Sequence, residues 1–188
     1  MPTTATKTSA KASKGASTKS AARKSSGASR AKSTTPDAIE LLTADHKEVK
    51  TLFKAYDKLV KEEADSGEKQ ATALQICVML TAHATAEEEL FYPAAREVLG
   101  EDEDLVDEAD VEHASAKELI AQIEAGTPDD PLYDAKVKVL GEYIDHHVKE
   151  EEGEMFPKVR KSDLDLDALG EELAARKAEL LGQTGEPH

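Results

Sequence analysis

The chain has few of the features that mark secreted or membrane-embedded proteins. Its single cysteine, Cys77, cannot form an internal disulfide, and no run approaches the roughly 18 apolar residues that span a bilayer. The N-terminus also lacks the apolar stretch of a secretory signal peptide. These absences predict a cytoplasmic protein that has no membrane partner.

Aromatic residues are scarce as well. Tryptophan is absent and aromatic residues make up 4% of the 188 residues, whereas alanine, leucine, glutamate and lysine are abundant and no alternating β-type run is present. This composition is typical of helical proteins, and the length suits one compact domain with extensions. We therefore expect an all-α protein.

Acidic residues are absent from the first 36 positions, which hold eight lysines and arginines. Because the whole chain carries −15 and this segment carries +8, the remaining 152 residues carry −23. Residues 3–35 contain no apolar residue larger than alanine, so they cannot bury enough surface to offset the entropy cost of ordering. Residues 1–35 are predicted to be a disordered basic tail, either simply solvated or bound to nucleic acid without sequence preference.

Helical order is predicted to begin at the Thr35-Pro36-Asp37 sequence, where threonine can cap, proline suits the first turn and aspartate favours the helix N-terminus. After this point apolar residues recur three and four positions apart in four segments, separated by the Asp65-Ser66-Gly67 and Gly126-Thr127-Pro128 breakers. Pro93 is expected to start a short new turn, and Pro157 to end the fourth helix. The four segments span residues 42–60, 76–90, 106–123 and 137–155.

Four long helices joined by short loops predict an antiparallel four-helix bundle, which we place at residues 36–162. Residues 163–188 are predicted to form an additional amphipathic helix and tail, because four leucines repeat along one side of a helix. This helix is expected to lie against the bundle. The leucines are Leu166, Leu169, Leu173 and Leu180.

Each predicted bundle helix carries one histidine on its core-facing stripe. These histidines are His46, His83, His113 and His147. The second and fourth helices repeat one phrase, HATAEEELFYP at 83–93 and HVKEEEGEMFP at 147–157, which adds Glu87 or Glu151 four positions after the histidine. Residues four apart share a helix face, and burying them unpaired costs on the order of several kcal/mol. The pattern predicts a site for iron, manganese or zinc, which accept mixed nitrogen and oxygen ligands; the alternative is a metal-free hydrogen-bonded network.

The internal repeat also predicts how the ligands are shared. Asp45-His46 in the first helix parallels Glu112-His113 in the third, so the chain consists of two similar hairpins related by a pseudo-twofold axis. By this symmetry each hairpin holds one metal through its two histidines, and the two glutamates bridge the metals at about 3.5–4 Å. The predicted pairs are His46 with His83 and His113 with His147, bridged by Glu87 and Glu151. His146 falls outside the buried register and is expected near the surface or behind a ligand.

Four motifs resemble, in order, those of the hemerythrin-like, HHE cation-binding family. They are DHKEVKTLF at 45–53, HATAEEELFYP at 83–93, EHASAKELI at 112–120 and HHVKEEEGEMFP at 146–157. The resemblance covers roughly residues 37–160 and implies an antiparallel helix bundle like that of myohemerythrin. It also implies a non-haem di-iron centre that binds or reacts with oxygen, peroxide or nitric oxide.

Two positions depart from the oxygen-carrying members of that family. Those proteins place a second histidine four residues after the third-helix histidine, where this chain has Lys117. They also place an aspartate five residues after the fourth-helix histidine, where this chain has Glu152 beside the better-phased Glu151. The departures favour redox reactivity or sensing over reversible oxygen carriage.

The function predicted from the sequence is that of a di-iron protein that binds, senses or reduces a small oxidant. The alternative is a nucleoid-associated DNA-binding protein whose bundle stores or senses metal. No catalytic residue beyond the ligands is evident, so peroxide-consuming activity and the oligomeric state stay open. Cys77 is expected to fill core space, and Tyr56, Tyr92 and Tyr143 either pack in the core or donate a hydrogen bond to the oxidant.

Overall fold

A computed structural model describes residues 36–183, and every regular element in that range is a helix. The predicted fold, an antiparallel four-helix bundle with an additional C-terminal helix, is confirmed. The basic segment predicted to be disordered, residues 1–35, lies outside the described residues. None of the helices within 36–183 is long and apolar enough to cross a membrane.

Seven α-helices make up the described part of the chain. They are α1 (Ala38–Lys61), α2 (Ser66–Ala86), α3 (Tyr92–Leu99), α4 (Asp104–Glu124), α5 (Tyr133–Glu150), α6 (Phe156–Val159) and α7 (Leu166–Gln183). In the bundle α1 packs beside α2 and α5, and α4 packs beside the same two helices, while α7 covers α1 and α2. Each of the four long bundle helices therefore contributes one face to a shared core.

The helix ends follow from local hydrogen bonding. Asp37, rather than the predicted Thr35, caps α1: its side chain accepts from the Glu40 N–H at 2.9 Å, and the Glu40 carboxylate accepts from the Asp37 N–H. Asp65, predicted as part of a breaker, is instead the N-cap of α2. After α3 the backbone of Gly100 has φ +57°, a left-handed conformation that glycine adopts without strain, and the helix ends there.

Two π-helical turns, Glu87–Phe91 and Glu151–Met155, carry α2 into α3 and α5 into α6. The prediction that Pro157 ends the fourth helix is wrong, because α6 continues to Val159. A proline ring would clash with the carbonyl group four residues earlier in a regular α-helix, and the wider π turn removes that clash. Each turn is closed by an N–H donating to a carbonyl five residues earlier, from Tyr92 to Glu87 and from Phe156 to Glu151.

The C-terminal helix α7 packs on the bundle as predicted. Leu169 and Leu173 are buried, and the other two leucines of the stripe are partly buried against the same apolar cluster. Arg176 forms an ion pair with Glu89 at 2.6 Å, and Lys177 forms one with Asp45. These contacts hold α7 across the N-terminal half of α1 and the end of α2.

Candidate metal centre

A layer of buried polar side chains divides the apolar core in two. Along α1, Leu42 belongs to the apolar cluster on one side and Val49 to the cluster on the other, and His46 lies between them. The other three bundle helices repeat this arrangement, and no member of the layer is more than 7% exposed. The members are His46, His83, Glu87, His113, His147 and Glu151. The structure thus brings together all six residues predicted from the sequence, and their role as metal ligands stays a prediction.

The four imidazoles meet in two pairs through their Nε2 atoms. His46 Nε2 lies 3.2 Å from His83 Nε2 in the first hairpin. The same distance separates the Nε2 atoms of His113 and His147 in the second hairpin. Two nitrogen lone pairs repel each other at this separation unless a positive charge, either a proton or a metal ion, lies between them. The pairs are those that the hairpin symmetry predicts.

A carboxylate lies behind every imidazole and accepts a hydrogen bond from its Nδ1–H. The partners are Glu152 for His46 (2.9 Å), Asp45 for His83 (3.1 Å), Glu88 for His113 (3.0 Å) and Glu112 for His147 (2.8 Å). Such bonds fix the tautomer and the ring orientation, and they leave Nε2 facing the interior as a ligand atom. The orientation of the four rings is therefore set before any ion binds.

Sequence reasoning did not predict that these four carboxylates orient the histidines, because three of them belong to acidic stretches and Asp45 is a single acidic residue beside His46. A signal was nevertheless present in the repeat. Asp45 and Glu112 each precede a core histidine directly, whereas Glu88 and Glu152 each follow a core glutamate directly. An acidic residue that recurs beside a predicted ligand in both halves of a repeat is a candidate to orient that ligand.

The two buried glutamates lack the hydrogen bonds that burial normally requires. Glu87 is 0% exposed, and neither of its carboxylate oxygens has a hydrogen-bond partner among the described residues; the same is true of Glu151 Oε2. Each Oε2 faces one imidazole from each hairpin. The Oε2-to-Nε2 distances are 3.1 Å and 3.5 Å from Glu87 to His83 and His113, and 3.3 Å and 3.5 Å from Glu151 to His46 and His147. An unpaired buried acceptor costs about 1–3 kcal/mol, so hydrogen bonding alone leaves this layer incomplete.

The electrostatics of the layer favour positive charge on some of its imidazoles only, since burial and the nearby His147 lower the pKa of His113 to about 3. Burial alone would lower the pKa of His83, but the Glu87 carboxylate and the bond to Asp45 raise it to about 10. Burial also opposes charge on Glu151, yet His147 and His46 hold the pKa of that carboxyl at about 2. The layer therefore keeps the Glu151 carboxylate ionised and holds positive charge on His83.

This donor set fits a transition-metal ion. Imidazole nitrogen together with carboxylate oxygen suits iron, manganese or zinc. The buried carboxylate oxygens that lack hydrogen-bond partners can bind such an ion. Among the residues of the buried layer, two groups have one ligand atom per residue within 4.8 Å of one another. We define the first position as His46, His83, Glu87 and Glu151, and the second position as Glu87, His113 and His147. Glu87 belongs to both groups.

A small chamber of about 20 Å³ adjoins the layer. It is lined by the four histidines and by apolar side chains of the four bundle helices, among them Val49, Leu80, Ile120 and Ile144. A cavity of this volume accommodates a ligand about the size of a water molecule. Lys117 lines one edge of the chamber and pairs with Glu88 at 2.6 Å.

Of the three tyrosines considered in the sequence, one reaches the layer. The Tyr92 hydroxyl donates to Glu151 Oε1 at 3.0 Å and lies 3.2 Å from His113 Nε2. Tyr56 donates instead to Asp134 at 2.7 Å, and Tyr143 is half exposed. Burial and the two nearby glutamates raise the pKa of Tyr92 well above its usual value, so the phenol keeps its proton.

Two further predicted residues lie outside the layer. His146 is 61% exposed, and its Nε2 lies 3.3 Å from Glu112, the carboxylate that is bonded to His147. His146 is therefore a surface residue that contacts the hydrogen-bond partner of His147. Cys77 is fully buried in the apolar cluster beside α4 and α5, and burial raises the pKa of its thiol to about 12. The thiol packs in the core, as predicted, and is unreactive there.

Comparison with known proteins agrees with this arrangement. Residues 37–159 match the family model described as the hemerythrin HHE cation binding domain. The crystal structure of a hemerythrin HHE cation binding domain-containing protein from Mycobacterium kansasii superposes with a TM-score of 0.64 at 25% identity. The superposition covers 79% of this chain and 89% of that one.

A curated relative adds a second comparison. A protein named DNA nickase from Nostoc sp. (strain PCC 7120) is 32% identical over 123 residues, which is 65% of this chain and 33% of the relative. The chain thus spans about a third of the length of this relative. Because the family model covers most of the chain and the bundle carries all four motifs, the resemblance predicted from the sequence is confirmed. The chain belongs to the hemerythrin HHE cation-binding domain family.

Proposed function

We propose that the layer holds two non-haem iron ions and that the protein binds, senses or reduces a small oxidant such as oxygen, peroxide or nitric oxide. The observation that carries this proposal is the Glu87 carboxylate, which is fully buried without a hydrogen-bond partner and faces an imidazole from each hairpin. A buried carboxylate without hydrogen-bond partners is stabilised when a cation lies on each side of it. Manganese or zinc would fit the same donors.

The residues in and around the buried layer have different roles in this proposal. The histidines of each hairpin would hold one ion, with Glu87 and Glu151 between them. Two ferrous ions, when bound, would supply the two electrons that reduce one hydrogen peroxide to two waters, with two protons taken from solvent. The carboxylates behind the histidines keep the rings in place, and the chamber admits only a ligand of water-like size beside the layer. We therefore expect the reaction with the oxidant to take place in the bundle core.

A titration tests this function. The full chain is loaded with ferrous iron under anaerobic conditions, and hydrogen peroxide is then added in steps while ferrous iron and peroxide are both assayed. We expect one peroxide to disappear for every two ferrous ions oxidised, with no consumption in protein treated with a chelator. Loaded ferrous iron that is not oxidised by peroxide or oxygen, and whose absorption spectrum nitric oxide does not change, would contradict the proposal.

Nucleic-acid binding is a second candidate, favoured by two observations on different parts of the chain. Residues 1–35 hold eight lysines and arginines and no acidic residue, and a relative of the bundle is named DNA nickase. Counterion release would make such binding sensitive to salt. A gel-shift assay of the full chain and of a variant lacking residues 1–35 tests it. Equal retardation of DNA by both proteins, or by neither at low salt, would exclude binding through this segment.

A further inference from the structure

The fourth bundle helix carries two pairs of histidine and glutamate in adjacent registers. One pair lies in the buried layer. The other pair, His146 and Glu150, lies on the outer side of α5, with side chains 61% and 35% exposed. Because residues four positions apart share a helix face, this pair can also bind one object. The residues 64 positions earlier are Ala82 and Ala86, both buried in the hairpin on which α7 packs, so the outer pair belongs to the second hairpin alone.

Glu112 of α4 completes a group of three side chains, which we call the outer cluster. His146 Nε2 lies 3.3 Å from Glu112 Oε1 and 3.3 Å from Glu150 Oε1, and one ligand atom of each residue lies within 4.8 Å of the others. Ligand atoms bound at about 2.1 Å to a tetrahedral ion are about 3.4 Å apart. A single N–H serves one acceptor well, whereas an ion is shared by both carboxylates. The spacing therefore suits a first-row divalent cation that keeps water at its remaining positions.

The outer cluster adjoins the buried layer through Glu112. Its Oε1 faces His146, and its Oε2 accepts the hydrogen bond from His147 Nδ1 at 2.8 Å. A narrow pocket of about 10 Å³, which has room for about one water-sized group, lies beside this carboxylate. The pocket is lined by side chains of both sites and by a neighbouring carboxylate. These are Glu112 and Glu150 of the outer cluster, His147 and Glu151 of the layer, and Glu108.

The inner end of this pocket holds a buried carboxylate that can bind a cation. Glu151 is 2% exposed, and its Oε2 has no hydrogen-bond partner within residues 36–183. An ion that enters a protein interior must exchange its water ligands for protein oxygens, because an unligated charge in an apolar environment is very costly. Carboxylate oxygens line the pocket from the surface to the layer, so each water that the ion loses can be replaced.

We propose that His146, Glu112 and Glu150 form a metal site at the surface, which takes up a hydrated divalent cation such as iron(II), manganese(II) or zinc and passes it between α4 and α5 to the buried layer. The ion at this site stays open to solvent. It is therefore held more weakly than ions in the layer and is lost on gel filtration. The uptake site depends only on its own residues, whereas the delivery role rests on the proposed metal centre.

Equilibrium dialysis of the full chain against cobalt(II) counts the sites. His146→Gln and Glu150→Gln each remove one ligand of the outer cluster and leave in place Glu112, which orients His147. Glu142→Gln is the matched control, because Glu142 is an exposed carboxylate of the same helix and lies outside the cluster. We expect three cobalt ions per chain in wild type and control, and two in each variant. Circular dichroism checks that every variant is folded.

Stopped-flow mixing of the metal-free chain with cobalt(II) measures delivery. The absorption of cobalt held by the imidazoles of the buried layer differs from that of a hydrated ion and rises as the layer fills. Both variants should fill the layer at least about tenfold more slowly at low salt and reach the wild-type final absorption, since charged clefts raise association rates by about 10- to 1,000-fold. His146→Gln removes a nitrogen ligand and no carboxylate. Slow filling in this variant therefore indicates ligation rather than long-range attraction by negative charge.

The two experiments separate the possible outcomes. Equal cobalt counts in wild type and both variants would overturn the outer site and leave the metal centre standing. Loss of one ion in the variants, with filling at the wild-type rate, would support the site and overturn its delivery role. One ion in wild type and none in the variants would support the outer site and overturn the metal centre. A folded wild-type chain that binds no cobalt would overturn both.

Discussion

Replacing Glu87 by glutamine should remove most of the stabilisation that metal ions give to the bundle. Glu87 is the residue shared by both ligand groups, so its charge acts at both positions. An ion present at 100 times its dissociation constant stabilises a folded chain by about 2.7 kcal/mol per site, or about 5.4 kcal/mol for two sites. For a chain of this size the melting temperature then rises by roughly 11–22 °C, at about 2–4 °C per kcal/mol.

The variant loses a charged ligand at both positions. If each dissociation constant rises about 100-fold, the same ion concentration gives only about 0.4 kcal/mol per site, and the melting temperature rises by about 2–3 °C. In metal-free protein we expect a separate loss of stability, because the Glu87 carboxylate pairs with His83 at 3.1 Å and raises the pKa of that imidazole, so each melt is compared with the metal-free form of the same chain. The fold and the site are therefore affected in different ways.

The assay is a thermal melt followed by circular dichroism, with and without manganese(II), for wild type and variant. Glu89→Gln is the matched control, since it makes the same substitution in the same π turn at an exposed residue whose contact is Arg176. The control should keep the full shift. A full metal-dependent shift in Glu87→Gln would refute the assignment of this residue as a shared ligand.

Three further predictions concern the supports of the site. Asp45→Asn should weaken ion binding at the first position about 10- to 100-fold, measured by metal titration, because Asp45 orients His83 and is itself held by Lys177. Equal weakening at both positions would contradict this prediction. Native Cys77 should resist iodoacetamide at pH 8, where a thiol of pKa about 12 is only about 10⁻⁴ ionised, and should react once urea unfolds the chain; rapid native alkylation would show that the thiol is accessible. Gly170→Ala should lower the unfolding free energy by about 1–3 kcal/mol in a denaturant melt, because a Cβ there would lie 2.6 Å from the Pro36 carbonyl oxygen; an unchanged midpoint would show that α7 can move away.

The positions of the six layer residues could be predicted because helical periodicity places them among Leu and Ile side chains. His46 lies four positions after Leu42 and three before Val49, so its side chain is on the same helix face as these two buried residues and points into the core. The same register separated His147, which is buried, from His146, which is exposed. Burial of Glu87 and Glu151 followed from their distance of four residues from a buried histidine.

Other features depended on geometry that periodicity does not carry. The continuation of the fourth helix past Pro157 requires a π turn, and a rule based on a regular α-helix predicts a break there. The hydrogen bonds to Nδ1 were hidden because Glu88 and Glu152 sit in acidic runs that usually face solvent. The three tyrosines looked equivalent in the sequence, and only the placement of Tyr92 at the end of the π turn brings its hydroxyl to Glu151.

The metal content of the full chain, purified without a metal-affinity tag and loaded anaerobically with ferrous iron, tests the central claim most directly. Iron and protein are quantified on the same sample after gel filtration, by elemental analysis and amino-acid analysis. The account predicts two irons per chain in wild type, since two histidine pairs and a shared Glu87 form two adjoining ligand groups. A chain that stays folded and retains no iron would contradict it, because the layer would then be a hydrogen-bonded support for the bundle.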